Sequence, residues 1–176
     1  MQTSSTFVEA KQSALMATLE IKRQFKASKQ KVFEAWSTAE NMVQWWGPKG
    51  FKTTAKTFDL KPLGAFHYSF TPEKGTAMWG KFVYQDVQAP ERIVFKNSFS
   101  DEQGHVTRAP FNSQWPLEIS NTLTFIEENG ITTLALKGEP VNATQEEKET
   151  FASNIENMQQ GFEGTFDRLE AFLSKQ

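Results

Sequence analysis

The sequence has 176 residues and a formal net charge of −2, with 19 basic and 21 acidic side chains interspersed along it. That length suits one domain, the charge balance excludes a basic nucleic-acid surface, and the lack of cysteine excludes disulfides, thiolate metal sites and a thiol nucleophile. Aromatic residues make up 13% of the chain against 38% for all hydrophobic residues, so its apolar content sits in large flat rings that can fill a thick core or line a hollow one.

The first residues have no basic start and no long apolar run, so no signal peptide is expected. No stretch approaches the ~18 apolar residues of a membrane span, and a cytoplasmic location is the expectation. Residues 1–17 read as an N-terminal arm, and 18–176 as one domain. From Thr18, "TLEIKRQFK" alternates, with Leu19, Ile21 and Phe25 on one face of a half-buried strand and Arg23 breaking the pattern. Ser28 can cap a short helix in which Val32, Phe33 and Trp36 share a face. Ser37 and Glu40 have capping-box spacing for a second, carrying Met42, Trp45 and Trp46. Gly47 and Pro48 end it, so the two tryptophans close one end of the molecule.

Strand-like segments follow at about 51–60, 65–71, 76–88, 91–100, 118–128 and 131–138, separated by turn signals such as "PEKG" and "EENG". Phe66, Tyr68 and Phe70 share one face, and so do Ile119, Leu123 and Phe125. The stretch 101–117 is long for a strand connection. It holds Phe111 and Trp115, each beside a proline, and reads as a lid or an exposed contact surface. From about Thr144 to Ser174, Phe151, Ile155, Met158, Phe162, Phe166, Leu169 and Leu173 recur at helical spacing. This predicts one helix of roughly 45 Å. Gly161 and Gly164 inside it suggest a close approach or a bend. Strand, two short helices, six strands and a long helix make an α+β chain, an antiparallel meander gripping its C-terminal helix.

Several stretches resemble one family. "FKASKQKVFEAWSTAENMVQWWGPKGF", "FDLKPLGAFHYSF", "APERIVF" and "MQQGFEGTFDRLEAFL" occur in the order and at the intervals of START-like (SRPBCC superfamily) domains of the type named after the activator of heat-shock protein 90 ATPase. The resemblance spans about residues 18–174. Leu63 stands where the family usually has the first Gly of a pair, and Lys61 where it has Arg. The resemblance implies a Bet v-like helix-grip fold of about seven strands, with a hydrophobic cavity between sheet and helix. It also admits two other functions, a co-chaperone-type module stimulating the heat-shock protein 90 ATPase and a polyketide cyclase-like or hydrolase-like enzyme.

The expected cavity wall comprises Trp36, Trp46, Phe66, Tyr68, Trp79 and Phe95, with Phe125, Met158, Phe162 and Phe166. Asn97 shares a strand face with Phe95 and Phe99, and can project among rings to orient a ligand or bond to backbone. Phe111 and Trp115 form the expected lid. His67 alternates with Phe66 and Tyr68 and reads as a surface residue; His105 has no evident partner. Asp59, Asp86, Glu73 and Glu118 lie beside turns or strand ends, where carboxylates are solvated. No catalytic residue, metal or cofactor is assigned. The expected partner is a small apolar ligand, with a chaperone as the rival.

Overall fold

The structure, a computed structural model, describes residues 17–176. The expected arm therefore lies outside the described residues, apart from Ala17. In chain order the elements are β1 (Leu19–Phe25), α1 (Lys29–Ala35), α2 (Ala39–Trp45), β2 (Phe51–Phe58), β3 (Ala65–Pro72), β4 (Met78–Gln88) and β5 (Arg92–Ser100). There follow β6 (Val106–Thr107), β7 (Glu118–Glu128), β8 (Ile131–Val141), α3 (Gln145–Ser153) and α4 (Ile155–Leu173). The sheet is antiparallel, in the order β1-β8-β7-β5-β4-β3-β2, with β6 paired only to β5. Its opposite edges, β1 and β2, are joined by α1 and α2, so the sheet must curl for so short a connection to span it. Irregular pairing at Ala55/Thr57 and Tyr84/Asp86 helps the curl, because a bulge bends its strand and increases the twist.

The local chemistry explains where the helices begin and end. Ser28 Oγ accepts from Lys31 N at 3.2 Å and opens α1. The cap of α2 is Thr38, not Ser37 as the spacing suggested: Thr38 Oγ1 accepts from Asn41 N at 3.1 Å, while Ser37 Oγ donates back to Glu34 O and closes α1. Thr144 and Glu147 form a reciprocal capping box at the start of α3.

The single long helix expected from the periodicity is two helices. At Ser153 and Asn154 both side chains donate to the Thr150 carbonyl, at 2.9 and 2.8 Å. Such back-bonding competes with the helix ladder and bends it, and Asn154 leaves helical geometry with φ −110° and ψ 7°. The bend is therefore not at the glycines. A Cβ on Gly161 would meet nothing within 4 Å, and one on Gly164 would touch only the Lys49 stem at 3.9 Å.

Helix α4 crosses the hollow of the sheet. Phe166, Leu169 and Phe172 are buried beneath it. Asp167 reaches Arg23 on β1 at 2.7 Å and Lys49, just before β2, at 2.9 Å, so one carboxylate ties the helix to both sides of the curl. Arg23 also meets Glu170 at 2.9 Å. The charge that interrupts the β1 alternation is thus the helix anchor.

Candidate functional site

The WWGP turn is held from three sides. Arg168 Nη1 donates to the carbonyls of Gly47 and Pro48 at 2.9 and 3.0 Å, Thr165 Oγ1 donates to Gly47 O at 3.2 Å, and Thr53 Oγ1 donates to Trp46 O. Burial holds the Arg168 guanidinium below its ordinary pKa. Gly47 has φ +114°, and a Cβ there would sit 2.7 Å from the Phe70 ring, so this position needs glycine twice over. The turn sets the two indoles edge to face, with centroids 5.8 Å apart, and gives them different surroundings. Trp45 is fully buried, its Nε1 donating to Ala35 O at 3.0 Å. Trp46, 8% exposed, packs edge-on to Phe82 and Tyr68 with centroids at 5.1 and 6.3 Å. Its indole nitrogen lies near the Tyr68 hydroxyl but falls short of hydrogen-bond geometry.

Trp46 separates solid core from open space. Behind it Trp36, Trp45 and Phe166 interlock. In front lies a cavity of about 370 Å³ between sheet, the 101–117 loop and α4. Six aromatic side chains line it: Trp46, Phe95, Phe99, Phe111, Trp115 and Phe162. Leu19, Ile119 and Met158 complete the apolar wall, and Asn97, Asn121, Asn154 and Asn157 supply the polar atoms. None of these lining residues carries a charge. A smaller lobe of about 170 Å³ runs along β3–β5 and shares Trp46, Asn97, Phe99, Trp115 and Ile119 with the first. Tyr68 borders it, and burial drives that phenol far above its ordinary pKa, the Trp46 indole only partly offsetting the rise.

The 101–117 loop is fastened to α3. Arg108 Nη1 donates to Trp115 O at 3.2 Å and to the buried Glu147 carboxylate at 2.9 Å. The Trp115 ring packs on Phe151 with centroids 5.8 Å apart, and Phe111 packs on Phe99 at 5.5 Å. Phe111 is nonetheless 66% exposed, at the mouth.

Comparison with known proteins agrees with this architecture. The family model described as Activator of Hsp90 ATPase homolog 1-like protein matches residues 26–174.

The chain belongs to that family.

A solution structure of a protein from Arthrobacter aurescens is 21% identical over 93% of this chain and 89% of its own, with TM-score 0.76. The crystal structure of the AHSA1 protein from Silicibacter pomeroyi is 19% identical over 90% and 98%, with TM-score 0.67. A Staphylococcus epidermidis protein is 22% identical over 90% of each chain, with TM-score 0.72. At these identities the likeness is one of fold. No curated protein matches the sequence.

In this chain the cavity gathers Trp46, Phe95, Asn97, Met158 and Phe162 of the expected wall together with Phe111 and Trp115 of the expected lid, and Tyr68 borders the side lobe. The rest of the expected wall needs correction. Trp36, Phe66, Phe125 and Phe166 border neither lobe; they fill the closed end as core, Phe125 against Phe33 at 5.3 Å. Trp79 edges the side lobe, but its ring lies on the convex face, 5.0 Å from His67 and beneath Lys56.

His67 does point away from the cavity, yet it is 5% exposed, covered by the 101–105 turn, with Nε2 3.1 Å from Asp101 O. His105 has a partner after all: its Nδ1 lies 2.9 Å from Asp101 Oδ2. The His105 backbone N–H, above all, holds the Asp101 carboxyl below its ordinary pKa. Asp59 and Asp86 pair with Lys61 and Arg92, outside the cavity. Sequence reasoning missed Asn121, Asn154 and Asn157. Asn121 had a signal, a polar residue in the apolar stripe Ile119, Leu123, Phe125; Asn154 and Asn157 are brought in by the helix break.

Proposed function

We propose that this protein binds a small, largely apolar molecule in the cavity between sheet, lid and α4. The observation that carries the reading is an uncharged space of about 370 Å³ walled by six aromatic side chains, beside a smaller one that shares five of its lining residues. That volume lies within the usual range of ligand sites, ~300–1,000 Å³, and large exposed aromatic surface is otherwise avoided in water. Trp46, Phe95, Ile119, Met158 and Phe162 supply the contact, with Phe111 and Trp115 as the cover. The lining of the larger lobe offers no acid–base pair for cyclase or hydrolase chemistry, which favours binding over turnover.

The test is native mass spectrometry of the protein from its own host, joined to titration with the neutral fluorophore N-phenyl-1-naphthylamine. A co-purifying small molecule, or saturable fluorescence enhancement displaced by host lipid extract, is expected. An empty protein that leaves the fluorophore dark but stimulates the heat-shock protein 90 ATPase would replace this reading with the co-chaperone one.

A further inference from the structure

The polar atoms of the cavity are arranged in a chain whose direction is fixed. The Ile119 carbonyl can only accept, so the Asn121 amide nitrogen faces it, at 3.2 Å. The same nitrogen donates its other proton to Asn97 Oδ1 at 2.6 Å. Asn97 must therefore present its oxygen to Asn121 and its amide nitrogen elsewhere. Among the described residues no protein atom accepts from that nitrogen, although Asn97 borders both lobes, with Phe95 and Phe99 on either side along its strand face. The fold makes room for the pair. Asn121 lies opposite Gly138, where a Cβ would come 2.7 Å from its Oδ1, so any larger residue there would displace it.

A two-donor group in an apolar chamber favours one kind of guest. A hydrocarbon leaves the Asn97 amide protons without an acceptor. A carboxylate or phosphate would be desolvated where no lining residue carries compensating charge, a far heavier penalty than burying a neutral polar group.

We propose that the Asn97–Asn121 pair reads the polar group of the ligand, selecting uncharged, flat molecules that carry a hydrogen-bond acceptor such as a carbonyl. This rests on the binding reading above and narrows it to a chemical class. Asn97 contacts the ligand; Asn121 positions it.

Three probes of one size test this by calorimetry or fluorescence quenching: 2-ethylnaphthalene, 2-acetonaphthone and 2-naphthoate. The ketone should bind, and the anion should bind at least tenfold more weakly. Asn97→Leu should weaken the ketone roughly tenfold relative to the hydrocarbon, about the worth of one hydrogen bond. Asn97→Asp keeps the side-chain shape and the bond from Asn121 but removes the donor, and should lower ketone affinity likewise if the leucine variant fails to fold. Equal effects on ketone and hydrocarbon, or naphthoate binding as tightly as the ketone, would overturn the selection by Asn97 while leaving the cavity reading standing. Failure of all three probes to bind wild-type protein would remove both.

Discussion

At the scale of single residues, the clearest departure from the family pattern is also a place where backbone geometry is strained. Leu63 occupies φ +67° and is 88% exposed, so its side chain gains nothing from packing, while its backbone adopts a conformation that suits glycine. Its N–H is nonetheless held by Tyr84 O at 2.8 Å, which fixes the turn between β2 and β3. The turn keeps the shape that glycine would allow, at the cost of a Cβ clash. Leu63→Gly should therefore raise stability by about 1 kcal/mol, measured by urea unfolding. A fall in stability would show that the hydrophobic side chain has a partner in solution. Leu63 was legible as a departure, but its left-handed backbone was not, since a leucine carries no such signal.

At the scale of elements, the grip of α4 depends on polar contacts that no hydrophobic pattern announces. Hydrogen bonding from Lys49, and then from Arg23, holds the Asp167 carboxyl below its ordinary value of 3.8. Because the folded-state pKa is depressed, the stabilisation is present above the unfolded value and is lost as pH falls through the folded one. Asp167→Asn should be less stable than wild type at neutral pH, and the gap should close as pH falls below the ordinary carboxylate value and through the depressed folded one. Added salt should narrow the neutral-pH gap, since the pair is exposed. Denaturant titrations across pH and ionic strength check both trends, and a gap that persists unchanged in acid would mean the residue acts through shape. The same scale accounts for the misread terminal helix. Apolar spacing runs unbroken through Asn154, because a stripe of Phe151, Ile155 and Met158 reads alike on a straight or bent helix. Only the competing bonds from Ser153 and Asn154 to Thr150 decide which it is.

At the scale of the whole molecule, one end of the grip is packed with rings and the end beneath the 101–117 loop is hollow. A cavity forgoes dispersion contacts that a filled core would have. If its lining is kept for a guest, filling it should help the protein and harm the function. Met158→Trp, placed at the α4 wall, should raise the melting temperature by a few degrees, equivalent to about 1 kcal/mol, and abolish binding of N-phenyl-1-naphthylamine. Raised stability with unchanged binding would move the ligand out of this chamber. The family resemblance and the strand–helix order were readable because each depends on short segments, and four of them survive in sequence order. The division of aromatic rings between core and wall was not. Trp36 and Trp46 carry the same side chain ten positions apart, and only the seating of the Trp46 ring against Tyr68 of β3, Phe82 of β4 and Phe162 of α4 makes one of them core and the other the face of a cavity.

The sequence by itself determined most of the elements, their order and the antiparallel sheet around a terminal helix, though not the break in that helix, because periodicity, caps and turns act over a few neighbouring residues. Tertiary structure alone decided where rings meet rings and where they enclose space. Whether a void remains depends on the summed volumes of side chains from β1, β5, β7, α4 and the 101–117 loop, segments far apart along the chain that only the curl of the sheet brings face to face.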